Sequence, residues 1–233
     1  MKPILFLLAL PLSYAHMELM LPFPLGSRYD PQNTDAMRDY NMMAPLLPDG
    51  SNYPCLGHHL AGGRHTTATF KAGSEYSIKV TGSASHLGGS CQLSLSYDNG
   101  ATFRVIKSII GGCPLKLEYT FTVPESAPSA PDALFAWTWF SKEGALGEMY
   151  MNCARVAVTG GAAAADAFKK LPLIYRANIF GDECVVPRPG AAVPPEQDDV
   201  VFTHPGEQVE WGIEGMKGQR PTKLLNCPVD PNA

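Results

Sequence analysis

The sequence predicts an all-β protein, a β-sandwich with long loops, and three observations support this fold class. Turn-forming residues are abundant, with 22 Gly and 21 Pro, while charged residues make up only 17% of the chain. Apolar and polar residues alternate over several short runs, which is the period of a half-buried strand. Turn signals, rather than helical segments, separate these runs. A succession of this kind is typical of a β-sandwich.

The first fifteen residues, MKPILFLLALPLSYA, have the three parts of a secretory signal peptide. Lys2 provides a positive charge, residues 4–12 form an apolar run, and Ser13 and Ala15 are the small residues of a cleavage site. The apolar run is shorter than the roughly 20 residues of a membrane span. The alternative is an uncleaved apolar strand. We expect cleavage after Ala15, a secreted extracellular protein, and His16 as the first mature residue.

The predicted strands follow from the alternation and are taken in chain order. Residues 22–54 are rich in Pro, Asn, Asp and Gly and predict long loops, with a short helix at residues 35–43. Asp98-Asn99-Gly100 is a hairpin turn signal between two alternating runs. The predicted strands are residues 76–80, 93–97, 103–106, 120–123, 134–140 and 149–158.

The chain divides into three predicted parts. Residues 1–15 are the signal peptide, and residues 16–159 form the β-sandwich domain. After Val158 a small-residue run, an apolar segment and a Pro-rich stretch predict a linker and a small disulfide-stapled extension over residues 160–233.

The six cysteines predict disulfides, because an even count behind a signal peptide is typical of an oxidising compartment. The competing interpretation, a structural zinc site, is disfavoured by the lack of any C-x-x-C pair. Cys184 and Cys227 both lie in the extension and most simply pair with each other.

Charge and motifs exclude several function classes. The formal net charge is −4 and no basic block stands out, which argues against a nucleic-acid partner. The chain has no G-x-S-x-G elbow, no H-E-x-x-H motif and no Walker-type loop.

Two histidines are the strongest candidates for metal ligands. A free amino group on His16 would combine an amine with a pKa of about 8 and an imidazole with a pKa of about 6.5, and both can bind one metal ion. His86 lies in GSASHLGGSCQ, where a strand pattern ends and two glycines allow a sharp turn. The adjacent pair His58-His59 is a weaker candidate, because neighbouring side chains in an extended chain point to opposite sides.

Tyr150 is a further candidate. In GEMYMNC an extended chain places Glu148, Tyr150 and Asn152 on one face, and Met149, Met151 and Cys153 on the other. The alternative interpretation of Tyr150 is an ordinary buried aromatic residue.

Segments that include these residues carry a resemblance to a known family. They are HMELMLPFP, GSASHLGGSCQLSLSYDNG, IKSIIGGCP, and LFAWTWF followed by EMYMNC, and they span roughly residues 16–159. The chain resembles a fungal lytic polysaccharide monooxygenase of the chitin-active kind, auxiliary activity family eleven. The resemblance implies an immunoglobulin- or fibronectin-III-like β-sandwich, in agreement with the strand pattern.

The resemblance also implies one copper ion per chain in a histidine brace. Its metal ligands would be the amine and ring of His16, the ring of His86 and, on the axis, Tyr150. Glu148 matches the family's acid beside the copper and, with Tyr150, the catalytic pair, while Ala84 matches the alanine that crowds one axial face. Three nitrogen donors in a T suit Cu(II).

The implied partners are chitin or a related polysaccharide, an external electron donor, and dioxygen or hydrogen peroxide. The implied reaction removes a hydrogen from C1 or C4 of the glycosidic link, after which the chain breaks. We expect a monomer that does not associate with a membrane. Two alternatives are a non-catalytic histidine-brace copper protein of the cell wall and a carbohydrate-binding module without metal.

The chain departs from the family pattern at two places. Leu87 stands where a glycine is expected after the copper histidine, and residues 26–50 match poorly. With the resemblance in place, we expect disulfides between Cys91 and Cys113, and between Cys55 and Cys153.

Overall fold

The computed structural model describes residues 17–62, 65–142, 147–161, 165–179, 184–186, 199–212, 217–218 and 220–222. The regular secondary structure of this part is β-strand, apart from one short helix, α1 (Ala165–Lys169), and two 3₁₀ segments, Asp35–Met37 and Cys55–Leu60, and long loops join the strands. The strands are β1 (Met17–Leu21), β2 (Ala68–Lys71), β3 (Glu75–Gly82), β4 (Gly89–Ser96), β5 (Arg104–Ile110), β6 (Glu118–Thr122), β7 (Ala130–Ser141), β8 (Tyr150–Thr159) and β9 (Val209–Trp211).

The strands form two sheets. The smaller sheet has the order β1-β3-β6, and the larger has the order β2-β8-β7-β4-β5-β9. The pairings are antiparallel except for β2 with β8 and β5 with β9, which are parallel. Apolar side chains from both sheets, among them Leu19, Ile78, Phe121 and Phe135, form the core between them. The prediction of an all-β sandwich is confirmed.

A second apolar cluster covers the outer face of the large sheet. Ile110 and Phe140 of that sheet pack there with Tyr175 and Phe202, which come from segments after residue 160. The two segments therefore belong to the packed body of the protein, while the proposed boundary at residue 159 stays a prediction.

This second cluster explains why β4 is buried on both faces, although its sequence alternates. The polar residues Ser90, Gln92 and Ser94 are each 0% exposed. The Gln92 side chain accepts a hydrogen bond from the backbone N–H of Tyr175 at 2.8 Å and donates one to Ser108 Oγ at 3.1 Å. The polar residues of this alternation therefore face the outer cluster, where Gln92 has polar partners, rather than water.

The loop prediction for residues 22–54 holds, but the helix predicted at residues 35–43 is wrong in length. Only Asp35–Met37 forms a 3₁₀ turn, and the chain returns to extended backbone at Arg38. Strands β1, β2 and β9 and helix α1 were not predicted, because three to five residues carry too little periodicity.

Two predicted disulfides are confirmed. Cys55 bonds to Cys153 with a Cα–Cα distance of 5.2 Å, and Cys91 bonds to Cys113 with a distance of 5.9 Å. Cys184 is buried and disulfide-bonded, but Cys227 lies outside the described residues, so their pairing stays a prediction. Within the described ranges, no helix is long and apolar enough to cross a membrane.

Glu210 joins β9 to the rest of the sandwich through ion pairs, so its ionisation should affect stability. Its carboxylate pairs with Lys107 at 2.7 Å and Lys116 at 3.2 Å. Burial alone would raise the pKa of Glu210, but the hydrogen bonds and charges of the two lysines lower it below the ordinary 4.5. A lowered pKa gives stability that is present above 4.5 and lost as the pH falls through the folded-state value.

We therefore expect Glu210→Gln to lower the free energy of unfolding by about 1 kcal/mol at pH 7. The difference from wild type should shrink as the pH falls below 4.5. Urea unfolding at pH 7 and at pH 3 measures both effects. The control is Glu118→Gln, whose side chain is half exposed and 4.0 Å from Lys79. An equal loss in both variants would contradict this account.

Candidate metal centre

His86 lies in a tight turn between β3 and β4. Four consecutive residues, His86, Leu87, Gly88 and Gly89, have positive φ values of 48°, 57°, 96° and 133°. A Cβ on Gly88 would lie 2.9 Å from the Cα of Gly112, and one on Gly89 would lie 2.0 Å from a backbone oxygen. Only glycine fits such close approaches, so the two glycines produce the sharp turn that the sequence predicts.

Trp139 of β7 holds this turn in place. Its ring stacks on the His86 imidazole, with centroids 5.8 Å apart and planes inclined by 26°. Its indole N–H donates to the backbone oxygen of Gly88 at 3.3 Å. Trp139 is itself 0% exposed, so the ring that supports the imidazole is fixed by the core.

Tyr150 extends this stack from the neighbouring strand. It pairs with Trp139 across β7 and β8, and the two ring centroids are 4.8 Å apart. Its hydroxyl donates a hydrogen bond to the Glu148 carboxylate. Burial, and then the hydrogen bond and negative charge of Glu148, raise the pKa of Tyr150 well above its ordinary value. The phenol therefore stays neutral at physiological pH, which would suit a weak oxygen ligand.

The structure brings together four of the predicted site residues. His86, Tyr150 and Glu148 are connected through Trp139 and the Tyr150 hydroxyl, and Ala84 is half-buried in the same turn as His86. The predicted alternation also holds in β8. Tyr150 lies in the core between the sheets, whereas Met149, Met151 and Cys153 lie in the outer cluster.

His16 lies outside the described residues, as do Ser13 and Ala15 of the predicted cleavage site. The first described residue, Met17, is buried and pairs with Gly82, four residues before His86 in the sequence. The start of β1 therefore lies beside the strand that leads into the His86 turn.

The donors in the described part of the site fit copper. An imidazole and a phenol are nitrogen and oxygen ligands that Cu(II) accepts in a tetragonal arrangement. Within the described ranges, neither this site nor any other has a group of three or more His, Cys, Asp or Glu side chains that could hold a metal ion. His58 instead pairs with Asp39 at 2.8 Å, and His65 with Asp30 at 2.9 Å.

Comparison with known proteins gives the family. The chain is 47% identical over 184 residues to "AA11 family lytic polysaccharide monooxygenase A" of Aspergillus fumigatus, which covers 78% of this chain and 83% of that protein. It is 32% identical over 214 residues to an AA11 family lytic polysaccharide monooxygenase of Aspergillus oryzae, covering 84% of this chain and 48% of that one. The chain belongs to the AA11 family of lytic polysaccharide monooxygenases. These enzymes are copper-dependent oxidoreductases.

Other comparisons add little to this assignment. No family profile matches the chain. Among solved structures, Bacillus amyloliquefaciens CBM33 in complex with Cu(I) is 13% identical with a TM-score of 0.37, covering 52% of this chain and 76% of that one. The chain spans about half the length of the Aspergillus oryzae relative.

Sequence reasoning missed the part that Trp139 plays. The sequence predicts the segment LFAWTWF as a strand, but the alternation places Trp137 and Trp139 on the same face and does not distinguish them. Their rings are stacked with centroids 6.2 Å apart, and the described contact to His86 belongs to Trp139. Only the pairing of β7 with β4 and β8 shows which indole reaches the site.

Leu87, the departure from the expected glycine, is 58% exposed and has a φ of 57°. A left-handed conformation costs an L-residue about 1 kcal/mol that glycine does not lose. We expect Leu87→Gly to be more stable than Leu87→Ala by about 0.5–1 kcal/mol. Thermal unfolding of the two variants measures the difference.

The control for this prediction is Leu115, which is 55% exposed and is not among the residues with positive φ. There the order should reverse, with alanine more stable than glycine. The same order at both positions would contradict the strain assigned to Leu87.

Proposed function

We propose that this chain is a secreted copper-dependent monooxygenase that oxidatively cleaves glycosidic bonds of chitin or a related polysaccharide. Membership of the AA11 family supports the reaction class. The observation that carries the proposal is the connected group of His86, Trp139, Tyr150 and Glu148 at one end of the sandwich. The substrate preference, chitin, comes from the resemblance of the sequence to chitin-active members of the family.

The proposed copper site requires a free amino terminus at His16. Removal of residues 1–15 would give His16 an amine and an imidazole that bind one copper ion together with the His86 ring. The position of Met17 beside Gly82 supports this arrangement, because β1 starts next to the strand that leads to His86. We infer one copper ion per chain and a monomeric protein.

Bound copper would accept one electron from the external donor and would activate dioxygen or hydrogen peroxide. The chain's own residues would orient the His86 ring and provide a carboxylate that can accept or donate a proton. Trp139 fixes the plane of the His86 ring, and burial keeps the Tyr150 phenol neutral. The Glu148 carboxylate accepts the Tyr150 hydroxyl proton in a hydrogen bond and lies at the site as a general acid or base.

A polysaccharide surface suits the exposed surroundings of His86. Leu87, the next residue, is 58% exposed, and Leu115 is 55% exposed in the loop packed against Gly88. Apolar side chains at such positions can pack on the C–H faces of sugar rings while the turn brings His86 to the substrate. The proposed electron donor and the oxygen species come from solution.

The reaction is tested with copper-loaded mature protein, β-chitin and ascorbate. We expect mass spectrometry to detect oxidised chitooligosaccharides. Glu148→Gln should lower the rate on the order of 100-fold, because an isosteric amide cannot exchange a proton. Copper affinity should remain unchanged, since Glu148 is not a proposed ligand.

The matched control is Glu118→Gln on β6, where the same isosteric change is made at a half-exposed carboxylate. It should leave the rate unchanged. The absence of oxidised products from the wild-type protein with several polysaccharides, together with tight copper binding, would instead favour the non-catalytic copper protein.

The amino terminus gives a second prediction. Protein secreted from a fungal host should begin at His16 when its terminus is sequenced. Adding one alanine before His16 should weaken copper binding on the order of 100-fold, about 2.7 kcal/mol, because the chelating amine is moved. Calorimetric titration with Cu(II) measures this. Equal affinity of both forms would contradict the proposed brace.

A further inference from the structure

We propose that Asn152 is a positioning residue, which sets the separation between the amino-terminal strand and the strand that carries Tyr150. The inference rests on the proposed function, since it concerns the geometry of the same copper site. It assigns the role to an amide side chain that binds neither metal nor substrate.

Asn152 is 2% exposed, and its side-chain hydrogen bonds within the described ranges are to backbone groups. Its Oδ1 accepts a hydrogen bond from the N–H of Leu19 at 2.8 Å. Its Nδ2 donates to the backbone oxygen of Met42 at 2.9 Å and of Met151 at 3.2 Å. The amide thus joins β1, the loop that contains Met42, and β8.

The bond to Leu19 connects the two sheets. β1 is an edge strand of the small sheet and pairs there with β3, whereas β8 belongs to the large sheet. An edge strand has backbone N–H groups that no neighbouring strand accepts. A buried N–H group of this kind needs a hydrogen-bond acceptor from elsewhere in the protein. Asn152 provides that partner for Leu19, which is itself 0% exposed.

The consequence for the site follows from the spacing along each strand. Leu19 is three residues after His16, and Asn152 is two residues after Tyr150 on the same face of β8. A fixed bond between Leu19 and Asn152 therefore limits how far β1 can move relative to Tyr150. Both strands would contribute to the copper site, because His16 would bring two nitrogen donors and Tyr150 an oxygen.

Gln92 offers a matched control for a purely structural role. It is a buried amide at 0% exposure that also joins separate segments, with hydrogen bonds to the N–H of Tyr175 and to Ser108 Oγ. It positions the segment that covers the outer face of the large sheet. Its loss should therefore reduce stability without changing the copper site.

The experiment compares Asn152→Ala, Asn152→Asp and Gln92→Ala as copper-loaded proteins. The readouts are the Cu(II) electron paramagnetic resonance spectrum and, in copper-free protein, hydrogen exchange of the Leu19 amide. Asn152→Ala should shift the copper hyperfine coupling and speed Leu19 exchange by at least about tenfold. Asn152→Asp keeps an oxygen acceptor for Leu19. As the neutral acid, which burial and the carbonyl oxygens of Met42 and Met151 favour, it also keeps a donor toward Met42 and should restore both signals toward wild type.

Gln92→Ala should lower the melting temperature and leave both signals as in wild type. A wild-type copper spectrum in Asn152→Ala would overturn the proposal, whatever its stability. Should Asn152→Ala fail to fold, Asn152→Ser, whose hydroxyl is too short to reach Leu19, is measured in its place with the same expected shifts. Failure of the wild-type protein to bind copper would instead count against the proposed function, while Leu19 exchange would still report the anchoring of β1.

Discussion

The burial of the central strands on both faces is the constraint on which the rest of the structure depends. Strand β4 and most of β7 lie between the core of the sandwich and the outer apolar cluster, and neither face of β4 reaches water. Polar side chains on such strands are buried at least cost where they find partners inside the protein. Gln92 does so with the Tyr175 segment, and Asn152 on β8 does so with β1. The segments beyond residue 160 are needed for this burial.

The same constraint explains why the site is rigid where it meets the sandwich and open where it meets solvent. Trp139 and Tyr150 lie near the ends of buried strands, so packing in the core holds their rings in place. His86 is carried on a turn, but it stacks on one of those rings. A side chain on a loop is held in this way as firmly as one on a strand.

Local sequence patterns were enough to predict the strands, the hairpin turn and the identity of several site residues. Tyr76, Ile78 and Val80 alternate as β3 requires, and Asn99 and Gly100 adopt positive φ in the turn. The patterns did not show that a distant segment covers β4, because no local sequence pattern around Gln92 indicates its contact with Tyr175. Nor did they show that Trp139 supports His86, which depends on the register of three strands.

The strained backbone conformation of the His86 turn persists because neighbouring residues pack against the turn and prevent it from relaxing. Two non-glycine residues in a row with positive φ cost about 2–3 kcal/mol together. The disulfide between Cys91 and Cys113 holds the loop with Gly112 against β4, and Gly88 fits closely against that loop. The turn is therefore held by two contacts, the hydrogen bond from Trp139 and the close packing of Gly88 against Gly112. Backbone strain that two independent contacts hold in place is typical of a functional site, where side-chain geometry matters more than local stability.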